Sequence, residues 1–158
     1  MAWNSINILP SSFGNIEVGR DLLLYHNGLE LLPDTFGNIK VGNTLHLGDN
    51  KLSKLPESFG KIKVDGDLLL SSNPFNYLPS SFGNIEVGHS LCMSYTRLDN
   101  LPKNFGSIKI GDALHLTGNN FKNFPNSFKD LKVKTLILDK NTPTTYKNLP
   151  ISAKICYL

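Results

Sequence analysis

Four pairs of glycines in this chain carry the spacing of a phosphate-cradling loop, with four residues between them. They are Gly14 and Gly19, Gly37 and Gly42, Gly83 and Gly88, and Gly106 and Gly111. Such a loop needs Lys and then Ser or Thr next, to reach the phosphates and a metal ion. The residues that follow are Arg20-Asp21, Asn43-Thr44, His89-Ser90 and Asp112-Ala113, so none fits. A motif recurring at one fixed interval is architecture, and no nucleotide site is expected. The four histidines, His26, His46, His89 and His115, stand at no metal-ligand spacing. Cys92 and Cys156 are too few and too far apart for a disulfide framework. No Ser, His and acidic residue group as nucleophile, base and orienter. The expectation is a chain that is not an enzyme, with no catalytic residue, no metal ligand and no cofactor.

The element that positions these residues is a repeat. Pro10, Pro33, Pro56, Pro79, Pro102 and Pro125 each follow Leu or Phe and are spaced by 23 residues. We number each unit from its proline as position zero and name the units first to sixth coil. Position three is Phe in all six, from Phe13 to Phe128. Position six is Ile or Leu, and position eight is Val or Ile. Leucine or methionine fills positions twelve and fourteen in the first five units, as in Leu22 and Leu24 or Leu91 and Met93. Position seventeen is Asn27, Asn50, Asn73, Thr96 and Asn119; position nineteen is Leu or Phe.

Leu-x-Leu alternation predicts a short strand with both leucines facing one side. The turn after it leaves backbone groups inside, which an Asn amide satisfies with its donors and acceptor. Stacked copies then form a ladder of Asn4, Asn27, Asn50, Asn73, Thr96, Asn119 and Asn141. Thr96 has a shorter side chain with one donor, which predicts a local weak point. Ile-x-Val followed by Gly19, Gly42, Gly88 or Gly111 reads as a short extended segment and a turn on the opposite side. One unit cannot bury its apolar wedge alone, whereas stacked neighbours do.

The unit Leu-x-Leu-x-x-Asn-x-Leu-x-x-Leu-Pro resembles the leucine-rich repeat family over nearly the whole chain. The resemblance implies an α/β fold: a right-handed curved solenoid, a horseshoe segment, with a concave parallel sheet of about six to seven short strands. The Gly at position nine departs from the common 23-residue type, which carries Leu there, and favours a mostly irregular or extended convex side with little helix. The array reads as one domain over 1–158. It comprises a partial repeat at 1–9, five full repeats at 10–124, and a degenerate repeat with a capping strand at 125–158. Trp3 and Ile8 are available to cover the first coil. At the other end one residue is lost between Val133 and Leu136, Pro143 stands where Leu is expected, and Lys154–Leu158 aligns with the strand at Thr135–Leu138.

The informative surface is the concave face. Position thirteen reads Leu23, His46, Leu69, Cys92, His115 and Ile137, turned away from the core yet largely apolar. Beside it stand Tyr25, His26, Asp49, Ser72, Tyr95 and Lys140. Apolar residues rimmed by polar ones mark a partner site; the same Leu and Ile would also be expected simply as strand formers. His46 and His115 share the column three coils apart, roughly 14 Å at strand spacing, too far for a shared metal. The resemblance likewise implies a non-enzymatic protein-recognition module whose partner binds the concave face. The alternatives are a structural or assembly element and a targeting fragment of a larger protein, such as a host-directed effector or the substrate-recognition part of a ubiquitin ligase.

The composition agrees with a repeat. The chain of 158 residues holds 18 Asn, 13 Gly and 9 Pro, turn formers in a chain that is still 40% hydrophobic. Net charge is +3, too small to argue for nucleic acid. It is polar along the array: residues 1–79 carry 6 basic and 8 acidic side chains, and residues 80–158 carry 10 and 5. That gradient either orients an acidic partner or is a solvated lysine-rich surface. No apolar run spans a membrane. Met1–Asn4 lacks the start of a signal peptide, and no Asn-x-Ser/Thr sequon occurs. An intracellular chain is expected, or one exported without a visible signal, existing as a monomer or associating end to end through its uncapped N-terminal coil. Near-identical units rich in Asn and Lys look like arrays encoded by AT-rich bacteria or large DNA viruses.

Overall fold

The computed structural model of the chain describes residues 2–140, 142 and 148–158. Asn141, Pro143 and Lys147 lie outside the described residues.

Each coil runs through the same three stations. Proline opens a short 3-10 turn, as at Ser11–Asn15, Glu57–Lys61 and Asn126–Asp130. The proline carbonyl accepts from the Phe amide three residues on, at 2.8–3.0 Å in all six coils. Pro supplies the fixed φ that starts the turn and has no amide to lose. The chain then extends for two residues on one side of the coil. These strands are β1 (Glu17–Val18), β3 (Lys40–Val41), β5 (Lys63–Val64), β7 (Glu86–Val87) and β9 (Lys109–Ile110). It turns and extends again on the other side as β2 (Leu22–Leu23), β4 (Leu45–His46), β6 (Leu68–Leu69), β8 (Leu91–Cys92), β10 (Ala113–His115) and β11 (Thr135–Leu138). A final strand, β12 (Lys154–Tyr157), closes the series.

The second set forms one parallel seven-stranded sheet in the order β12-β11-β10-β8-β6-β4-β2. This is the α/β solenoid with little helix that the repeat predicts. The tail pairs as the sequence indicates: Thr135 faces Lys154, Ile137 faces Cys156 and Leu138 faces Tyr157. The smaller strands make two parallel sheets on the opposite side, β1-β3 and β5-β7-β9.

The core is a stack of identical layers. The rings of Phe13, Phe36, Phe59, Phe82, Phe105 and Phe128 follow one another at centroid distances of 6.1, 6.1, 6.0, 6.1 and 5.9 Å. Five of the six are fully buried, and Phe13 in the first coil is 9% exposed. Burying one such side chain contributes on the order of 2–3 kcal/mol. The glycine after each Phe of the first five coils is required by close approach, and in the sixth Lys129 stands there. A Cβ added at Gly37 would lie 1.7 Å from the Ser58 carbonyl oxygen of the next coil.

Asn50 and Asn73 are rungs of an internal amide ladder. Asn50 Nδ2 donates to the carbonyls of Leu47 (2.9 Å) and Gly48 (3.2 Å) in its own coil and to Leu24 (3.0 Å) in the coil before. Its Oδ1 accepts from Leu29 N–H at 3.2 Å. Asn73 repeats the pattern one coil on. Asn4 makes the own-coil bond of the ladder, Nδ2 to the Ala2 carbonyl at 2.8 Å, the same two-residue step that Asn27 and Asn50 make, and is exposed at the end of the stack. One expectation at the N-terminal end is corrected. Trp3 and Ile8 do not cover the first coil: they are 71% and 82% exposed. Ile6, partly buried, packs there instead.

Candidate binding face

Alternation sets the outward column of the large sheet. Leu22 and Leu24 point into the core at 6% and 0% exposure, and Leu23 between them is 37% exposed. Strand register then aligns Leu23, His46, Leu69, Cys92, His115 and Ile137 in one row, and β12 adds Cys156 as a seventh member. His46, Leu69, Cys92, His115, Ile137 and Cys156 are half-buried. The column is continuous across the whole sheet.

The chemistry of this row is quiet. Burial, and secondarily the Asp67 carboxylate, push the Cys92 thiol up to about 11, so it stays protonated near neutral pH and is a poor nucleophile. Burial also lowers the His46 pKa, opposed by Asp49 and reinforced by His26. Neutral His46 accepts from Gly48 N–H through Nδ1 at 3.2 Å. Among the described residues no three His, Cys, Asp or Glu side chains lie together as a metal site, and no helix is long and apolar enough to cross a membrane.

His26, Asp49, Ser72 and Tyr95, expected beside this row, belong to a column whose shared backbone conformation the sequence pattern did not reveal. Position sixteen, directly before the ladder residue, has positive φ from the partial repeat through the fifth coil: Trp3 (58°), His26 (50°), Asp49 (53°), Ser72 (59°), Tyr95 (57°) and Gly118 (69°). Left-handed backbone costs a residue with a Cβ about 1 kcal/mol or more. Gly is the cheap solution and Asp and His are tolerated, yet two of the six positions hold the large rings of Trp3 and Tyr95. Nothing in a 23-residue hydropathy pattern marks this column, since its members share a backbone conformation and no side-chain type.

The rings collect at the N-terminal end of the face. Trp3 stacks on His26 with centroids 3.8 Å apart and planes at 22°. Tyr25 meets Trp3 edge-on at 6.5 Å and His26 at 5.6 Å, and lies 4.3 Å from the His46 ring. His26 Nε2 stands 3.6 Å from Asp49 Oδ2. Spacing along the chain kept His26 and His46 apart; the stacking of adjacent coils brings both against Tyr25. Tyr95 is a separate exposed ring, 67% accessible, lying over Gly118, where an added Cβ would meet its Cδ1 at 2.2 Å. Lys140 and Ser72 are exposed at the same margin.

Neither any protein-family model nor any curated protein matches the chain.

Proposed function

We propose that the chain is a non-enzymatic protein-recognition module of the leucine-rich repeat type, which binds a protein partner across the outward face of its seven-stranded sheet. The observation that carries this reading is the unbroken row from Leu23 to Cys156. Its seven members include Leu23, Leu69 and Ile137, with Tyr25 and Tyr95 alongside, on a face that needs no apolar side chain for its own core. Aromatic and aliphatic anchors within a polar rim are the composition of a contact surface. The rim here is Asp49, Ser72 and Lys140.

The test is affinity capture from a host lysate with the wild-type chain and with the triple variant Leu23→Glu/Leu69→Glu/Ile137→Glu. Three carboxylates spread along the row abolish capture if this face is the contact. If both forms capture the same proteins, the reading fails.

A further inference from the structure

The ring cluster at the N-terminal end of the sheet has a composition that narrows what it contacts. Trp3, His26 and Tyr95 occupy a left-handed position that Gly118, Ser72 and Asp49 fill elsewhere in the same array. The turn therefore does not call for a large side chain; Trp3 and Tyr95 are held there against the backbone preference, whereas His26 is of a type that accepts it. Trp3 and His26 lie in one stack, with Tyr25 and His46 completing the group.

The cluster is rich in π-faces and carries one carboxylate. Trp3 is 71% exposed, and the Asp49 side chain is 43% exposed beside His26. His46 is held towards its neutral form by burial and so adds no positive charge near neutral pH. The surrounding half of the chain, residues 1–79, has 8 acidic against 6 basic side chains. Indole and phenol faces next to a carboxylate are the surroundings that favour a cation. A guanidinium uses all of them, because it stacks flat on a ring and donates to a carboxylate at once.

Building on the recognition reading above, we propose that Trp3, Tyr25, His26, His46 and Asp49 form the docking point for an arginine side chain of the protein segment bound across the sheet. The ring faces stack against the guanidinium, and Asp49 supplies the opposite charge. The partner segment thus places a basic residue at the N-terminal end of the face.

Trp3 is the single tryptophan of the chain, so its fluorescence reports this cluster alone. The probe is a blocked pentapeptide Gly-Gly-Arg-Gly-Gly, titrated into the full chain at pH 7.5. Its control is the same peptide with citrulline, which keeps the planar shape and removes the charge. The expected result is a saturable change in Trp3 emission with the arginine peptide and an affinity at least tenfold lower with citrulline. Asp49→Asn lowers the arginine affinity at least fivefold; Asn accepts left-handed backbone, so the fold is kept. Absence of saturation with the arginine peptide overturns the proposal, as does equal binding of the citrulline peptide. Loss of partner capture by the triple Glu variant, with no arginine binding, would sink this inference and leave the recognition reading standing. Arginine binding with capture unchanged would sink the recognition reading.

Discussion

The Thr96 hydroxyl lies 2.7 Å from the Asn119 side-chain oxygen, and the Thr96 amide donates to the same oxygen at 3.2 Å. Asn119 Oδ1 also accepts from Leu98 N–H at 3.1 Å, so one amide of the fifth coil gathers three donors of the fourth. On the other side of Thr96 the ladder is thin. Leu24 and Leu47 carbonyls each accept from two ladder amides, whereas Leu70 accepts from Asn73 alone. Phe75 N–H, which a fourth-coil Asn would have taken, bonds to the Asn73 carbonyl across Pro74 at 2.9 Å.

Thr96→Asn therefore adds a second donor to the Leu70 carbonyl and an acceptor for Phe75 N–H, and gives up the Thr96 hydroxyl bond to Asn119. The expected gain is about 1 kcal/mol, the net worth of one buried hydrogen bond. Urea unfolding of the two forms measures it. Asn73→Ala is the converse: it removes the acceptor of Leu52 N–H and the donor to Leu47, and costs about 3 kcal/mol. No gain from Thr96→Asn would count against the ladder as the source of stability at this position.

Asp65 explains why the smaller sheet is divided. Gly42, Gly88 and Gly111 hold the same position and come so near the preceding coil that an added Cβ would lie 2.3, 2.1 and 1.8 Å from its carbonyl oxygen. Asp65 has a Cβ. The bonds made elsewhere, Gly42 N–H to Val18 at 2.9 Å and Gly88 N–H to Val64 at 2.9 Å, have no counterpart between Asp65 and Val41. Opposite charges add to the pairs that form: Lys40 meets Glu17 (3.1 Å), and Lys63 and Lys109 flank Glu86 (2.9 and 3.3 Å). Like charge is not what stops the sheet between Lys40 and Lys63, since Lys109 and Lys132 form a parallel bridge. Asp65→Gly should join β3 to β5 and stabilise by about 1 kcal/mol. Slower amide exchange at position 65 is the direct readout, and unchanged exchange would refute the steric cause.

How much of this was legible in the sequence follows from period and side-chain type. Phe at position three, Leu at twelve and fourteen and Asn at seventeen define layer, strand and ladder because each recurs as a type every 23 residues. The outward row was legible by alternation alone. The left-handed column was not, because Trp, His, Asp, Ser, Tyr and Gly share no pattern. Nor was the meeting of Tyr25 with His46, which belongs to adjacent coils and depends on Gly48 leaving room for the imidazole. Asn4 fits the ladder by spacing and makes its own-coil bond to Ala2, and the partial coil is tied on through Ile6 N–H, which donates to Asn27 Oδ1 at 3.1 Å.

Two glycine substitutions of the same chemistry should have opposite signs. At Gly37 a Cβ would lie 1.7 Å from Ser58 O and 2.2 Å from its carbonyl carbon, both backbone atoms that cannot give way. Gly37→Ala must part the second and third coils and should cost about 3 kcal/mol. At Gly19 a Cβ meets nothing within 4 Å. Gly19→Ala should stabilise by about 0.5 kcal/mol through the unfolded chain. Thermal or urea unfolding of the pair gives both numbers, and equal effects would contradict the stacking geometry.

The pH dependence follows from His46. Its folded pKa is lowered, first by burial and then by His26, with Asp49 opposing. The groups that face it are the Tyr25 ring, the Gly48 amide, His26 and Asp49. A lowered histidine pKa means that the unfolded chain takes up the proton first as pH falls. Stability owed to this group is therefore constant above about 6.5, the ordinary histidine value, and declines below it. Protonation also removes the Nδ1 acceptor of Gly48 N–H. The carboxylates act lower on the scale: Asp21 is held down by the Thr44 amide and Asn43, and Glu86 by Lys63 and Lys109, so their loss belongs near pH 4 and below. His46→Gln should flatten the stability curve between about pH 6.5 and 5 and leave the acid limb near 4 unchanged. Urea midpoints at half-unit pH intervals separate the two limbs. A wild-type curve already flat between 5 and 6.5 would show that His46 is not the group responsible.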